Sequence, residues 1–290
     1  MKRALVALLL LAGCRRPPAS QHFETQGGRG YDVRVAESHD RKAPAPVLYL
    51  LHPYATAPRD AESYFQFQAA LAKRGWSLVV PAGTLDQEQA PFWNATDACC
   101  DRFDAGVDDL AYLDGVIAEV EKRFAVDPRR VFAMGTSNGG FFAHRLACDR
   151  SEKFTAVVSI NGAGFADLSR CRPTKNVALL QVHGDQDELV FYDGGTHLLG
   201  SEHLGPYAAA RGPIEWWAKH NGCTALGVGA PGLDFDRSIP GDETRIEAWG
   251  ECGAPVELWT VVGGKHFLPP TATVTATLLQ WLQRASSNPR

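Results

Sequence analysis

From residue 31 onward, short β-branched and aliphatic runs alternate with stretches of helical apolar spacing, the pattern of a sheet covered by helices on both faces. Strands are predicted at 33–36, 47–51, 76–81, 130–134, 156–160, 177–182, 245–248 and 256–261. Residues 61–74, 107–124, 141–148 and 273–285 read as helices. The second shows its period most openly: Leu110, Leu113, Val116, Ile117 and Val120 share one face, and the pattern stops before Pro128. A polar and aromatic excursion at 82–106 follows the third strand. A loop-rich insertion fills 185–242, with Trp216 and Trp217 on a helical stretch read as core. No internal repeat and no second hydrophobic unit interrupts this order, so residues 31–290 are expected to form one domain.

Composition narrows the classes. The chain has 290 residues, 45% hydrophobic and 21% charged, enough for one substantial core and unlike a disordered or fibrous chain. Its 29 basic and 33 acidic residues leave −4, with no basic run dense enough to neutralise a phosphate backbone, so nucleic acid is excluded as a partner. Residues 1–13 read as an export signal: Lys2 and Arg3, an apolar run at 4–11, then Ala12 and Gly13 before Cys14. The run is too short to span a bilayer of about 30 Å, which takes roughly 20 residues. The tetrad Leu11, Ala12, Gly13, Cys14 resembles the bacterial lipobox, which implies cleavage before Cys14, lipidation of its thiol and a membrane anchor on an exported protein. A plain secretory signal with an incidental cysteine is the competing reading. Residues 14–30, rich in Pro, Gln, Ser and Gly, are expected to act as a tether.

Six further cysteines fit an oxidising compartment: Cys99, Cys100, Cys148, Cys171, Cys223 and Cys252. Fifteen pairings are open. Cys148 with Cys171 and Cys223 with Cys252 each bracket a modest loop, a closure worth about 3 kcal/mol in the chain-entropy picture, and these two bonds are expected. Cys99 and Cys100 stay open between an adjacent-pair bond at the pocket rim, other partners and free thiols. No C-x-x-C pair and no histidine in ligand spacing occurs, so no metal is expected.

Gly135-Thr136-Ser137-Asn138-Gly139 has the form of a nucleophile elbow, in which a sharp strand-to-helix turn projects a serine hydroxyl above the sheet edge. The strand predicted before it and the helix after it are what that turn needs. Serine is a weak nucleophile until a base takes its proton and a carboxylate orients the base. Asp187, just past strand 177–182, and His266, just past strand 256–261, supply both in the required order. Each stands at the C-terminal end of a predicted strand, where open α/β sheets carry their sites. Their plainer roles would be a turn-capping aspartate and a loop histidine. Asp185 is the rival acid.

The segments 135–149 (GTSNGGFFAHRLACD), 182–192 (VHGDQDELVFY) and 263–269 (GGKHFLP) together resemble one esterase family. It includes poly(3-hydroxybutyrate) depolymerases, LpqC-type lipoproteins and feruloyl or acetyl-xylan esterases. The resemblance covers about residues 45–285 and extends to Phe92-Trp93-Asn94, Cys99-Cys100 and Val107-Asp108-Asp109. It implies the α/β-hydrolase fold, a mostly parallel central sheet flanked by helices. By motif position it assigns Ser137 as nucleophile, Asp187 as the acid closing H-G-x-x-D, and His266 as the base after G-G-x.

One departure stands out. The family carries His-Gly after the strand that builds the oxyanion hole, whereas this chain has His52-Pro53-Tyr54, and Pro53 has no N–H to donate. The Asn138 N–H is one donor by position and the Tyr54 N–H is expected as the second; His52 is read as structural. The aromatics Tyr54, Phe92, Trp93, Phe141 and Tyr192 are expected to wall a substrate pocket, with core packing as the alternative. The sequence thus reads as an exported, lipid-anchored serine ester hydrolase acting through an acyl-enzyme, without cofactor, on polyester or feruloyl and acetyl esters of polysaccharide. An acyltransferase or peptidase on the same residues, and a non-catalytic binding lipoprotein, are the competing readings.

Overall fold

Strands buried on both sides read as near-continuous apolar runs, and the central strands here do so with few polar exceptions, Ser159, Gln181 and His183 among them. In a computed structural model that describes residues 20–36, 43–196, 204–228 and 232–287, Ala45–Leu51 (β3) has all seven residues buried. Successive side chains of a strand point to opposite faces. Val47, Tyr49 and Leu51 therefore enter one core, Leu48 and Leu50 the other.

The strands run in chain order as Ser20–Glu24 (β1), Gly30–Arg34 (β2), β3, Ser77–Pro81 (β4), Thr84–Leu85 (β5), Pro91–Phe92 (β6) and Val126–Thr136 (β7). Ala156–Ile160 (β8), Ala178–Gly184 (β9), Gly195–Thr196 (β10), Pro206–Tyr207 (β11), Ala225–Val228 (β12), Thr244–Gly250 (β13) and Val256–Val261 (β14) follow. Ten of them form one sheet in the order β1-β2-β4-β3-β7-β8-β9-β14-β13-β12. The six strands from β4 to β14 are mutually parallel, and antiparallel strands close both edges. β5 pairs with β6, and β10 with β11, as short ladders outside it.

Helices Pro58–Phe65 (α1), Phe67–Ala72 (α2) and Val274–Ser286 (α6) cover one face, where Phe65, Phe67, Leu71, Leu278 and Trp281 pack on Leu48, Leu50, Phe132 and Met134. Asp109–Arg123 (α3), Asn138–Asp149 (α4) and Arg211–His220 (α5) cover the other, burying Leu113, Ile117, Phe142, Leu146 and Trp217. The expected mostly parallel sheet with flanking helices is the observed architecture.

The differences have local causes. The helix expected at 61–74 is two helices, because Gln66 turns left-handed at φ 51°. Phe65 and Phe67, two positions apart, could not share one helical face, and the break lets both be buried. Within the expected tether, residues 20–24 form edge strand β1 on β2. Phe23 holds it there by stacking on Tyr31 at 5.4 Å and meeting Phe124 edge-on. The insertion at 185–242 contains α5 and β12. Disulfides join Cys148 to Cys171, Cys223 to Cys252, and Cys99 to its neighbour Cys100 across a cis peptide. The export signal, Cys14 and the start of the tether lie outside the described residues.

Candidate active site

Ser137 lies between β7 and α4 at φ 55° and ψ −120°, a backbone conformation that non-glycine residues rarely hold. Its surroundings enforce it. The Ser137 N–H donates to the Ile160 carbonyl at 2.8 Å, and the Phe141 N–H donates to the Ser137 carbonyl at 2.9 Å. A Cβ at Gly135 would stand 2.1 Å from the Gly139 carbonyl oxygen, and one at Gly139 would stand 2.3 Å from that of Leu51. Both glycines of the pentad are thus required by close backbone approach. The Asn138 side chain makes a two-point clasp with the Trp93 backbone, accepting its N–H at 2.7 Å and donating to its carbonyl at 2.8 Å.

Three residues that are far apart in sequence meet here. His266 Nε2 is 2.9 Å from Ser137 Oγ, and His266 Nδ1 is 2.9 Å and 3.0 Å from the two carboxylate oxygens of Asp187. Ser137, Asp187 and His266 follow the C-terminal ends of parallel strands β7, β9 and β14. Asp187 Oδ1 accepts the N–H groups of Leu189 at 2.9 Å and Val190 at 2.8 Å, while Oδ2 faces His183 Nε2 at 3.4 Å. Burial pushes the Asp187 carboxyl up, but hydrogen bonds from His183 and His266, the charge of His266 and the Val190 amide outweigh it. The carboxyl is held well below the usual carboxylate range. Asp185, the rival acid, instead caps the turn into the histidine loop by accepting the Gly263 N–H at 2.6 Å.

A cavity of about 310 Å³ opens beside Ser137. Its floor is Leu50, Leu51 and Thr136; Pro53, Tyr54 and Thr56 form one wall, Tyr64 and Phe65 of α1 another, and Leu189 and Phe267 the rim. The aromatics expected to wall it divide. Tyr54 does so, with its hydroxyl bonded to Asp86. Phe92, Trp93 and Phe141 are instead fully buried in the core, and Tyr192 bonds the Thr260 hydroxyl at 2.7 Å. The reason is packing: Trp93 stacks on Phe142 at 5.1 Å with its ring N–H on the His52 carbonyl, and Phe141 meets Tyr207 edge-on. His52 is buried too, its Nε2 accepting the Gly83 N–H at 2.8 Å and its Nδ1 bonded to the Pro53 carbonyl. Burial lowers its pKa to about 4, so it stays neutral and acts as a loop tie. Cys99 and Cys100 lie in the core beneath Asn138, whose side-chain amide also reaches Cys99 Sγ at 3.4 Å, and away from the cavity rim. Among the described residues no three His, Cys, Asp or Glu side chains gather as ligands for a metal ion.

Residues 102–172, which run through α3, β7, the elbow and β8, match the Prolyl oligopeptidase family (Peptidase_S9). Over 228 residues the chain is 27% identical to "Feruloyl esterase B" of Piromyces equi, covering 77% of this chain and 39% of that protein. Against "Feruloyl esterase C" of Emericella nidulans it is 25% identical over 264 residues, covering 89% and 84%. The fold superposes on "Acetyl xylan esterase from Aspergillus awamori" with a TM-score of 0.66 at 12% identity, covering 91% of this chain and 99% of that one. The chain has the α/β-hydrolase fold. It is a homologue of feruloyl esterases, although it spans about half or less of the length of several of them, 52% of a "Probable feruloyl esterase C" from Aspergillus oryzae among them.

Sequence reasoning missed the pocket walls of this site. Tyr64 and Phe65 come from α1, which carries no motif. Leu189 and Phe267 could have been found by adjacency, two residues after Asp187 and one after His266. Phe267 is 72% exposed beside the base.

Proposed function

We propose that this hydrolase cleaves carboxylic esters through an acyl-enzyme, with Ser137 as nucleophile, His266 as general base and acid, and Asp187 as the group that orients His266. One observation carries the reading: the unbroken hydrogen-bonded line from Ser137 Oγ through the His266 ring to the Asp187 carboxylate, opening on an apolar cavity. Ser137 Oγ attacks the ester carbonyl as His266 Nε2 takes its proton, and the ionised Asp187 holds Nδ1–H and stabilises the imidazolium. Returning that proton to the departing alcohol breaks the C–O bond and leaves the acyl group on Ser137. Water, deprotonated by His266, then releases the acid and restores the hydroxyl. The oxyanion of each tetrahedral intermediate is received by the Asn138 N–H at the start of α4 and by the Tyr54 N–H, with Pro53 fixing the backbone between β3 and Tyr54. Each such donor is worth about 3 kcal/mol.

The names of the relatives extend the reading to feruloyl or acetyl esters linked to polysaccharide, and the family resemblance adds polyesters. Three disulfides and the export-type N-terminus support an extracellular or periplasmic location, with lipid attachment at Cys14. Ser137→Ala should abolish turnover of p-nitrophenyl acetate with an unchanged circular dichroism spectrum. Turnover near that of the unaltered enzyme would refute the assignment. Parallel assays on methyl ferulate, acetylated xylan and poly(3-hydroxybutyrate) identify the substrate class, and mass spectrometry of the mature N-terminus tests Cys14.

A further inference from the structure

Asn161 follows β8, the strand that lies between the nucleophile's β7 and the acid's β9. It is fully buried and left-handed at φ 47°, a conformation that Asn tolerates better than most residues. Its backbone N–H donates to the Val182 carbonyl at 2.9 Å, and its Oδ1 accepts the Gly184 N–H at 2.9 Å, both at the end of β9. Its Nδ2 donates to the carbonyls of His266 at 2.7 Å and Lys265 at 3.1 Å. The opposite amide orientation would set oxygen against two carbonyls and an N–H against an N–H, so these partners fix which atom is which. The residue before it, Ile160, accepts the Ser137 N–H, and a Cβ on the residue after it, Gly162, would stand 2.4 Å from the Gly140 backbone. A single side chain thus ties the strand carrying the acid to the loop carrying the base, directly beside the elbow.

We propose that Asn161 is a positioning residue that holds the His266 ring in register with both Asp187 and Ser137. The proposal rests on the hydrolase reading above. Nothing else in the described chain bonds the His266 carbonyl, and a misplacement of about 1 Å at a reacting group costs on the order of 100-fold in rate. Asn221 provides a matched control. Its Nδ2 bridges the carbonyls of Val177 and Ala254 at 2.9 Å and 3.0 Å, making the same kind of tie before β9 and β14, at the end of the sheet away from the site.

The test compares Asn161→Asp, which keeps the shape and loses both donors, Asn161→Gly, which keeps the backbone freedom, and Asn221→Ala. Steady-state kinetics on p-nitrophenyl acetate are combined with thermal midpoints and the low-field proton NMR signal of the His266 Nδ1–H. In the Asn161 variants kcat should fall roughly 100-fold with KM within about threefold, and the low-field signal should broaden or vanish. Asn221→Ala should lower the thermal midpoint and leave kcat unchanged. A folded Asn161 variant with kcat near that of the unaltered enzyme, or an equal loss in Asn221→Ala, overturns the proposal. Ser137→Ala run alongside separates the two readings: if it turns over substrate, the hydrolase assignment itself has failed, and if it is inert while the Asn161 variants are fully active, only the clamp has failed.

Discussion

Exchanging Asp187 for Asn alters one atom, and the structure dictates where that atom goes. Oδ1 accepts two backbone N–H groups, from Leu189 and Val190, so the amide oxygen of an Asn must occupy that position. The NH₂ group is then forced into the place of Oδ2, facing His266 Nδ1 at 2.9 Å. An N–H pointing at Nδ1 selects the tautomer in which Nδ1 is bare and Nε2 carries the proton. That ring cannot accept the proton of Ser137, whose Oγ stands 2.9 Å from Nε2. The lost orientation and the missing negative charge together should lower kcat by about 10⁴-fold, about 5.4 kcal/mol. Asp185→Asn, at an acid that meets the Gly263 N–H and not the His266 ring, should keep kcat within about twofold. The assay is p-nitrophenyl acetate hydrolysis normalised to sites titrated with a fluorophosphonate, with the denaturation midpoint as a check on the fold. A loss below tenfold in Asp187→Asn, or a comparable loss in Asp185→Asn, would refute the assignment of the acid.

Acid should unfold the protein early, because burial lowers the pKa of both His52 and His144 to about 4 from an ordinary 6.5. Below 6.5 the unfolded chain binds protons that the folded chain refuses, so their stability contribution is whole above 6.5. It is lost as pH falls toward 4, by about 3 kcal/mol per histidine. Urea midpoints at pH 7.5 and 4.5 should differ, and His144→Gln should shrink the gap; equal midpoints would contradict it. Phe267→Ala should raise KM for an aryl-acyl nitrophenyl ester about fivefold, the equivalent of about 1 kcal/mol of apolar contact, and leave kcat for the acetate ester unchanged. An unaltered KM would remove Phe267 from the acyl site.

Much of the frame was legible because burial on two faces leaves a plain mark. The runs at 156–160 and 256–261 coincide with β8 and β14 to the residue, since strands with helices on either side are mostly apolar, Ser159, Glu257 and Thr260 being the exceptions. Edge strand β1 left no such mark, because Phe23 is its one side chain that is not exposed. Gln66 gives no hint of its left-handed turn, which is imposed by two phenylalanines that must both reach the core. The convergence of Ser137, Asp187 and His266 was legible because each belongs to a motif at a strand end. The pocket was not: ring type tells nothing of direction, and Phe92, Trp93 and Phe141 went inward while Tyr64 and Phe267 went outward. Asn161 was silent, because its role lies in partners about a hundred positions away.

The clasp between Asn138 and Trp93 bears on redesign. The peptide that supplies the proposed oxyanion donor is anchored, through its own side chain, to the excursion at 82–106, which lies 45 positions earlier in the chain. Transplanting a foreign segment into that excursion to change substrate preference would therefore also shift the angle at which the donor meets its anion. Grafts that preserve the backbone path through Trp93 should keep their turnover number, whereas grafts that displace it should lose rate even on substrates too small to touch the new loop.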